Sequence, residues 1–434
     1  MRIDTLRLQN FRKFEDASIE FHPEFNVLLG ENASGKSTIL EAIKTGFVPH
    51  TRLLAGSELY LHQPSSRVRY AFPNGQSREL FFPSGVSLKA SILHFKLQSW
   101  SQILQSAETP AATHYDLQTW EGKKIPEESE RDAIENLRKK VSAGEPVILP
   151  LIASYGIPRT AKTEKHIFEN IVESRFDPYK DALNATCNAQ PFFNWLYRNF
   201  LIEIEEKQAN PLLHAVRDAV KKAIPGCHDI RYSIRYNDVC IDTERNGRRQ
   251  TVSFSDLSDG YRGMVGMISD IAHRAARLNP HLGENAVSET PGLVLIDEID
   301  LHLHPKWQRG IVGNLRKIFS KMQFIVTTHS PQILGELRSE NVFILSDGEN
   351  GIEVRKPAYE IYGQTSGMLL EDMMQTSERD ASVQEKIDRI FTSIERGEHE
   401  EAQKEYKELK SIAADLPEFV KIDMRLGRKE AVGQ

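Results

Sequence analysis

Three short segments carry the residues most able to do chemistry. Gly30-Glu-Asn-Ala-Ser-Gly35-Lys36-Ser37 has the spacing G-x-x-x-x-G-K-S, between an apolar run (Phe25–Leu29) and a segment that reads as a helix from about Lys36. Glycines let the backbone N–H groups wrap a phosphate chain, and the helix start adds a favourable dipole. Lys36 reaches the β and γ phosphates and Ser37 offers a hydroxyl to Mg²⁺. Gly30, Asn32, Ser34, Gly35, Lys36, Ser37 and Thr38 are therefore the expected nucleotide contacts. In Leu293-Val-Leu-Ile-Asp297-Glu298 four apolar residues precede two carboxylates, the form of a buried parallel strand delivering acids at its C-terminal end. Asp297 is expected to join Ser37 around Mg²⁺, and Glu298 to act as general base on water. After another apolar run, Phe324–Thr327, His329 stands at a strand end where it can contact a γ-phosphate. ATP and Mg²⁺ are the cofactors this set calls for.

A fourth segment is short, polar and glycine-containing: Leu257-Ser258-Asp259-Gly260-Tyr261, ahead of the apolar-rich stretch Met264–Ala272. It looks like the signature motif of ABC-type ATPases, departing from LSGGQ at Asp259 and Tyr261. In that family the serine and second glycine sit at a helix start and contact the γ-phosphate held by the opposite protomer, which carries over to Ser258 and Gly260. Asp300–Pro305 (DLHLHP) follows the acid pair where such proteins place a loop that crosses the dimer seam. His302 and His304 have no evident third partner for a zinc site. Gln98 is a candidate for the glutamine loop of the family.

The order of P-loop, LSDGY, LIDEIDLHLHP and TTHSPQIL resembles the compact RecF-like and OLD-like bacterial ATPases, and more narrowly the PtuA family of Septu antiphage defence. The resemblance covers about 1–95 and 229–355. It implies an α/β fold: a two-lobed ABC-type (SMC/RecF-like) P-loop ATPase with a helical insertion and a C-terminal helical tail. It also implies a homodimer, or a higher oligomer such as a trimer of dimers, and an HNH nuclease partner resembling PtuB. DNA would be contacted through that complex. A stand-alone RecF-like repair clamp and a non-hydrolysing ATP-sensing scaffold are the competing functions. Residues 356–434 hold no Asp-x-Asp pair and the histidines form no HNH-like pattern, so the chain is expected to be an ATPase and not itself a nuclease.

The elements that must position these residues follow from periodicity. Arg2–Leu8 and Ser18–Phe21 alternate at period two and predict a strand pair. An Asn74-Gly75 turn lies between Arg67–Phe72 and Glu79–Phe82, and Ser91–Leu97 reads as a strand, closing a first ATPase lobe over 1–98. Residues 99–228 read as a helical insertion, with Ile134, Leu137 and Val141 at helical spacing and helices around Trp195–Ile204 and Leu212–Ala223. A strand near Pro146–Tyr155 is expected to return to the ATPase core. The second lobe, 229–355, has an Asn246-Gly247 hairpin, strands at Leu293–Ile296 and Phe324–Thr327, and strands at Val342–Leu345 and Ile352–Val354 flanking an Asp347-Gly348 turn. In 356–434, stripes through Val383, Ile387, Ile390 and Ile394 and through Ala402, Tyr406 and Leu409 break at Gly397 and predict a helical hairpin. The exposed faces of this hairpin or of the helical insertion are candidate docking surfaces for a partner, the alternative being that both amphipathic segments pack only against their own domain. No heptad run long enough for a coiled-coil arm is present.

Composition sets the outer bounds. The 434 residues are 40% hydrophobic and 27% charged, ordinary for a globular chain. No run approaches the roughly 20 apolar residues of a membrane span, and the chain opens on a charged strand, which points to the cytoplasm. Cys187, Cys227 and Cys240 lack the spacing of a metal or disulfide framework. A net charge of −6 argues against a uniformly basic nucleic-acid binder, although Arg245–Arg249 could form a local positive face.

Overall fold

Alternation in the first residues builds the first sheet. In β1 (Arg2–Phe11) the side chains of Ile3, Leu6, Leu8 and Phe11 are buried. The step from Ile3 to Leu6 is odd-numbered, yet both face inward because the register against the neighbouring strand shifts between Ile3 and Thr5. The computed structural model describes residues 1–55, 68–71, 79–92, 99–104, 116–118, 127–156, 174–184, 189–245, 247–348, 351–374, 380–413 and 415–430. After β1 come β2 (Phe14–Glu20), β3 (Phe25–Gly30), α1 (Lys36–Ala55), β4 (Tyr70–Ala71), β5 (Glu79–Leu80), β6 (Ser84–Ser91), β7 (Ser99–Leu104) and β8 (Asp116–Gln118). Strands β2-β1-β6-β7-β8 form an antiparallel sheet, and β4 pairs with β5.

Of the expected strand Ser91–Leu97, Ser91 closes β6 and 93–97 lie outside the described residues, as does the Asn74-Gly75 turn. Val86, Leu88 and Ala90 supply the buried alternation of β6. Helix α1 packs under this sheet. Trp100 Nε1 and Gln102 Nε2 donate to the carbonyls of Gly46 and Thr45 at 2.8 and 2.7 Å.

Next come α2 (Glu127–Ser142), β9 (Leu151–Tyr155), α3 (Gln190–Glu206) and α4 (Pro211–Ala223). Besides β9, the strand expected to return to the ATPase core, the stretch 99–228 contributes β7 and β8 to the first sheet, so it does not stand apart as a helical insertion, and residue 228 falls inside a strand. The described part of the chain divides into one compact unit over Met1–Ser366 and a second over Gly367–Gln434.

A third sheet is antiparallel, β10 (Cys227–Ser233), β11 (Asp238–Arg245) and β12 (Arg248–Ser253), with Arg245 opposite Arg248 at the hairpin. Cys227 and Cys240 are buried here as packing residues, and burial pushes the Cys227 thiol up to about 12. Cys187 is outside the described residues.

Helix α5 (Asp259–Leu278) leads through α6 (Ala286–Glu289) to β13 (Gly292–Ile296). The chain continues through α7 (Pro305–Gln308), α8 (Ile311–Ile318), β14 (Met322–Thr327), α9 (Pro331–Leu334), β15 (Val342–Gly348) and β16 (Gly351–Arg355). The central sheet has the order β16-β15-β3-β14-β13-β9, parallel except for β16 at one edge. Its inner strands are buried on both faces and mostly apolar, as a sheet covered on both sides requires. Strand β15 runs on through Asp347 and Gly348, which are strand and not the expected turn, and 349–350 lie outside the described residues. Gln323, 1% exposed, joins the central sheet to the first one. Its side chain accepts from Ile3 N–H and donates to Ile3 O and His22 O.

The second unit holds α10 (Ser366–Met374) from its second residue onward, α11 (Ala381–Arg396), α12 (His399–Ile412) and α13 (Glu418–Glu430). Gly397 ends α11 in the left-handed conformation. The hairpin expectation is one helix short: Phe419 and Ile422 of α13 complete a core with Ile387, Ile390, Tyr406 and Leu409. Among the described residues no helix is long and apolar enough to cross a membrane.

Candidate active site

The strand–loop–helix β3–α1 places its glycine loop at the C-terminal edge of the central sheet, where open α/β sheets bind ligands. Gly35 has φ +96°, and a Cβ there would lie 3.0 Å from the Phe14 ring, so the turn excludes other residues twice over. Lys36 is 6% exposed, and its ammonium donates to the carbonyls of Gly30 and Glu31 at 2.7 Å each. Burial lowers its pKa, opposed by the carboxylates of Asp297, Glu298 and Asp300. Ser34 Oγ is buried without a hydrogen-bond partner.

Because β13 and β3 flank β14, the acids at the end of β13 come to the loop from two strands away. Ser37 Oγ donates to Asp297 Oδ1 at 3.1 Å, and Thr327 Oγ1 donates to the same oxygen at 2.6 Å. Two cis oxygens on an octahedral Mg²⁺ at ~2.05 Å would stand about 2.9 Å apart, so Ser37 and Asp297 fit as partners of that ion. Glu298 turns away from the strand at φ +50° and is half-buried. Asp300 Oδ1 accepts from Thr328 Oγ1 at 2.6 Å and from His329 N–H at 3.3 Å, fastening the loop after the acid pair to the loop that carries His329.

Asn32, Ser34, Gly35, Lys36, Ser37, Thr38, Asp297, Glu298 and His329 all line one cleft of about 760 Å³. Four further charged side chains on its wall carry no motif: Arg12, Lys13, Arg69 and Asp347. Arg12 and Lys13 sit at the tight β1–β2 turn, with Asn10 at φ +44° and Arg12 at φ +52°, and Lys13 Nζ donates to Ala33 O at 2.6 Å. Their sequence signal was two basic residues at a hairpin turn. Arg69 pairs with Glu15 at 3.0 Å and is positioned only by tertiary pairing.

Ser258 and Gly260 do not line this cleft. Ser258 is the exposed N-cap residue of α5, and its hydroxyl makes no capping hydrogen bond. Gly260 lies against the carbonyl of His302, and the Tyr261 ring meets Trp307 edge-on at 4.8 Å between centroids. The loop Asp300–Pro305 therefore packs on the start of α5 within one chain. His304 accepts from Lys306 N–H and caps α7. Gln98 lies outside the described residues.

Residues 25–335 match the family model described as "AAA domain, putative AbiEii toxin, Type IV TA system", and residues 1–48 match a second AAA-domain model. The chain is similar to the retron Ec83 probable ATPase of Escherichia coli, at 26% identity over 87% of this chain and 77% of the relative. It is similar to the Septu protein PtuA of Bacillus thuringiensis, at 25% identity over 86% of this chain and 84% of the relative. The PtuA of Bacillus mycoides is 24% identical over 98% of this chain, which spans about half (52%) of that relative's length. With its glycine loop, acid strand and His329 on one α/β core, the chain belongs to the AAA-domain ATPase family described as putative AbiEii toxin, Type IV TA system.

Proposed function

We propose that this chain is the ATP-hydrolysing subunit of an antiphage defence complex, in which two copies close on two nucleotides and the closed state controls an HNH nuclease partner acting on DNA. One observation carries the proposal. The phosphate loop, both acids and His329 share a cleft, while Ser258 and Gly260 stand outside it, with Ser258 exposed at a helix start. That is half a site on each of two faces, which a second copy completes. The similarity to Septu PtuA supports the defence setting and the partner.

In this mechanism the loop N–H groups and Lys36 hold the phosphates, while Ser37 and Asp297 would hold Mg²⁺. The ion, when bound, supplies charge neutralisation at the phosphate oxygens. Glu298 accepts the proton of the attacking water. His329 orients the γ-phosphate, and Ser258 with Gly260 of the other copy contacts it from the far side.

Mixing two inactive variants tests the composite site. Lys36→Ala and Ser258→Arg chains should each fail to hydrolyse ATP. Their equimolar mixture should regain about a quarter of wild-type turnover, because half the dimers are mixed and each has one intact site. A mixture as inactive as its components would sink the shared-site reading. Co-expression with an HNH nuclease encoded beside this chain should yield a stable complex with nucleotide-dependent DNA cleavage; no association and no cleavage would sink the defence reading.

A further inference from the structure

Thr327 ends β14 at 0% exposure, between the strand end that carries the acids and the one that carries the glycine loop. Its hydroxyl acts in both directions. Oγ1 donates to Asp297 Oδ1 at 2.6 Å and accepts the backbone N–H of Glu298 at 2.7 Å. Its carbonyl accepts Ile299 N–H at 2.9 Å. Asp297 N–H still continues the sheet by donating to Tyr155 O at 2.8 Å, but Glu298, at φ +50°, has left the ladder. A glutamate in this left-handed conformation is strained, and the threonine oxygen holds its N–H there.

We infer that Thr327 is a positioning residue for the reaction: one buried hydroxyl aims a carboxylate oxygen of Asp297 beside Ser37 and locks Glu298 in the backbone conformation that turns it toward the cleft. Only a hydroxyl can do both, since it is donor and acceptor at one atom. Valine matches threonine in shape and supplies neither. The neighbouring Thr328 is spent elsewhere, on Asp300 Oδ1 at 2.6 Å, so it cannot take over.

This inference rests on reading the chain as an Mg²⁺-dependent ATPase, and its test is built to separate the two. Thr327→Val and Thr327→Ser are compared with the wild type by thermal unfolding with ATP in EDTA, by the same with Mg²⁺ added, and by steady-state hydrolysis. Thr327→Val should keep the shift caused by ATP alone but need about 10- to 100-fold more Mg²⁺ for the further shift. Its kcat should fall by a similar factor, with KM for ATP within about threefold of wild type. Thr327→Ser should restore both readouts. A valine variant with unchanged Mg²⁺ requirement and kcat, or a serine variant as impaired as valine, would overturn the assignment. If valine fails to fold, Thr327→Ala against Thr327→Ser makes the same comparison. Should the wild type bind Mg·ATP without turning it over, hydrolysis fails as the function, and the Mg²⁺ requirement still decides Thr327.

Discussion

A methyl group built on Gly260 would lie 1.9 Å from the carbonyl oxygen of His302. The start of α5, carrying Ser258, therefore packs backbone against backbone on the loop that follows the acid pair, reinforced by the Tyr261–Trp307 contact. Gly260→Ala must push them apart, because the atom in the way is backbone. It should cost about 1–3 kcal/mol, typical of overpacking, and abolish ATP-dependent self-association. Urea unfolding and light scattering with Mg·ATP check this; an alanine variant equal to wild type in both would show that the contact is dispensable.

Glu298→Gln keeps the size of the side chain and removes the base. Turnover should fall by about 10²–10⁴, the usual worth of general base catalysis, while ATP binding persists and the closed dimer accumulates. Phosphate release and light scattering report the two effects separately. Unchanged phosphate release would mark another group as the base.

Chelating divalent cations should stop phosphate release while leaving a fluorescent ATP analogue bound, because Lys36 and the loop backbone still hold the phosphates. Lys36→Ala should lose binding with or without Mg²⁺. Retained binding in that variant would mean that the buried ammonium and its bonds to Gly30 and Glu31 serve the loop's own fold.

His273, on α5, is 2% exposed between Phe192 and Trp195, and neither ring nitrogen has a hydrogen-bond partner. Burial, with help from Arg277 and Arg274, drives its pKa well below the ordinary value. In the window below about 6.5 the unfolded chain binds a proton that the folded chain does not, so stability falls as pH falls. His273→Met should flatten the wild-type slope of stability against pH by up to about one proton between pH 6.5 and 5. Urea midpoints across that range measure it; identical slopes would place the acid sensitivity elsewhere.

The parts of the site that were legible in the sequence are those whose chemistry is local. A phosphate loop needs its glycines, lysine and serine within eight consecutive positions, Gly30 to Ser37, and an acid strand announces itself by four apolar residues before Asp297 and Glu298. Helices α2, α3, α4, α11 and α12 were legible because a buried face repeats every three to four residues along one segment. Helix α13 was missed although Phe419, Ile422 and Leu426 have that spacing, since seven of its 13 residues are charged.

Tertiary structure decided what depends on distant partners. Strand β3 lies between β14 and β15, which follow it by most of the chain's length, and no local pattern states that order. That order brings Ser37 within 3.1 Å of Asp297, and other long-range pairings put β7 into the first sheet instead of an insertion and turn Arg12 and Lys13 into cleft wall. It also gives Thr327 its role, since a threonine closing an apolar strand looks in sequence like any β-former. Side-chain type and spacing specify which chemistry is possible; hydrogen-bonded strand order, a long-range property, decides which of those side chains meet.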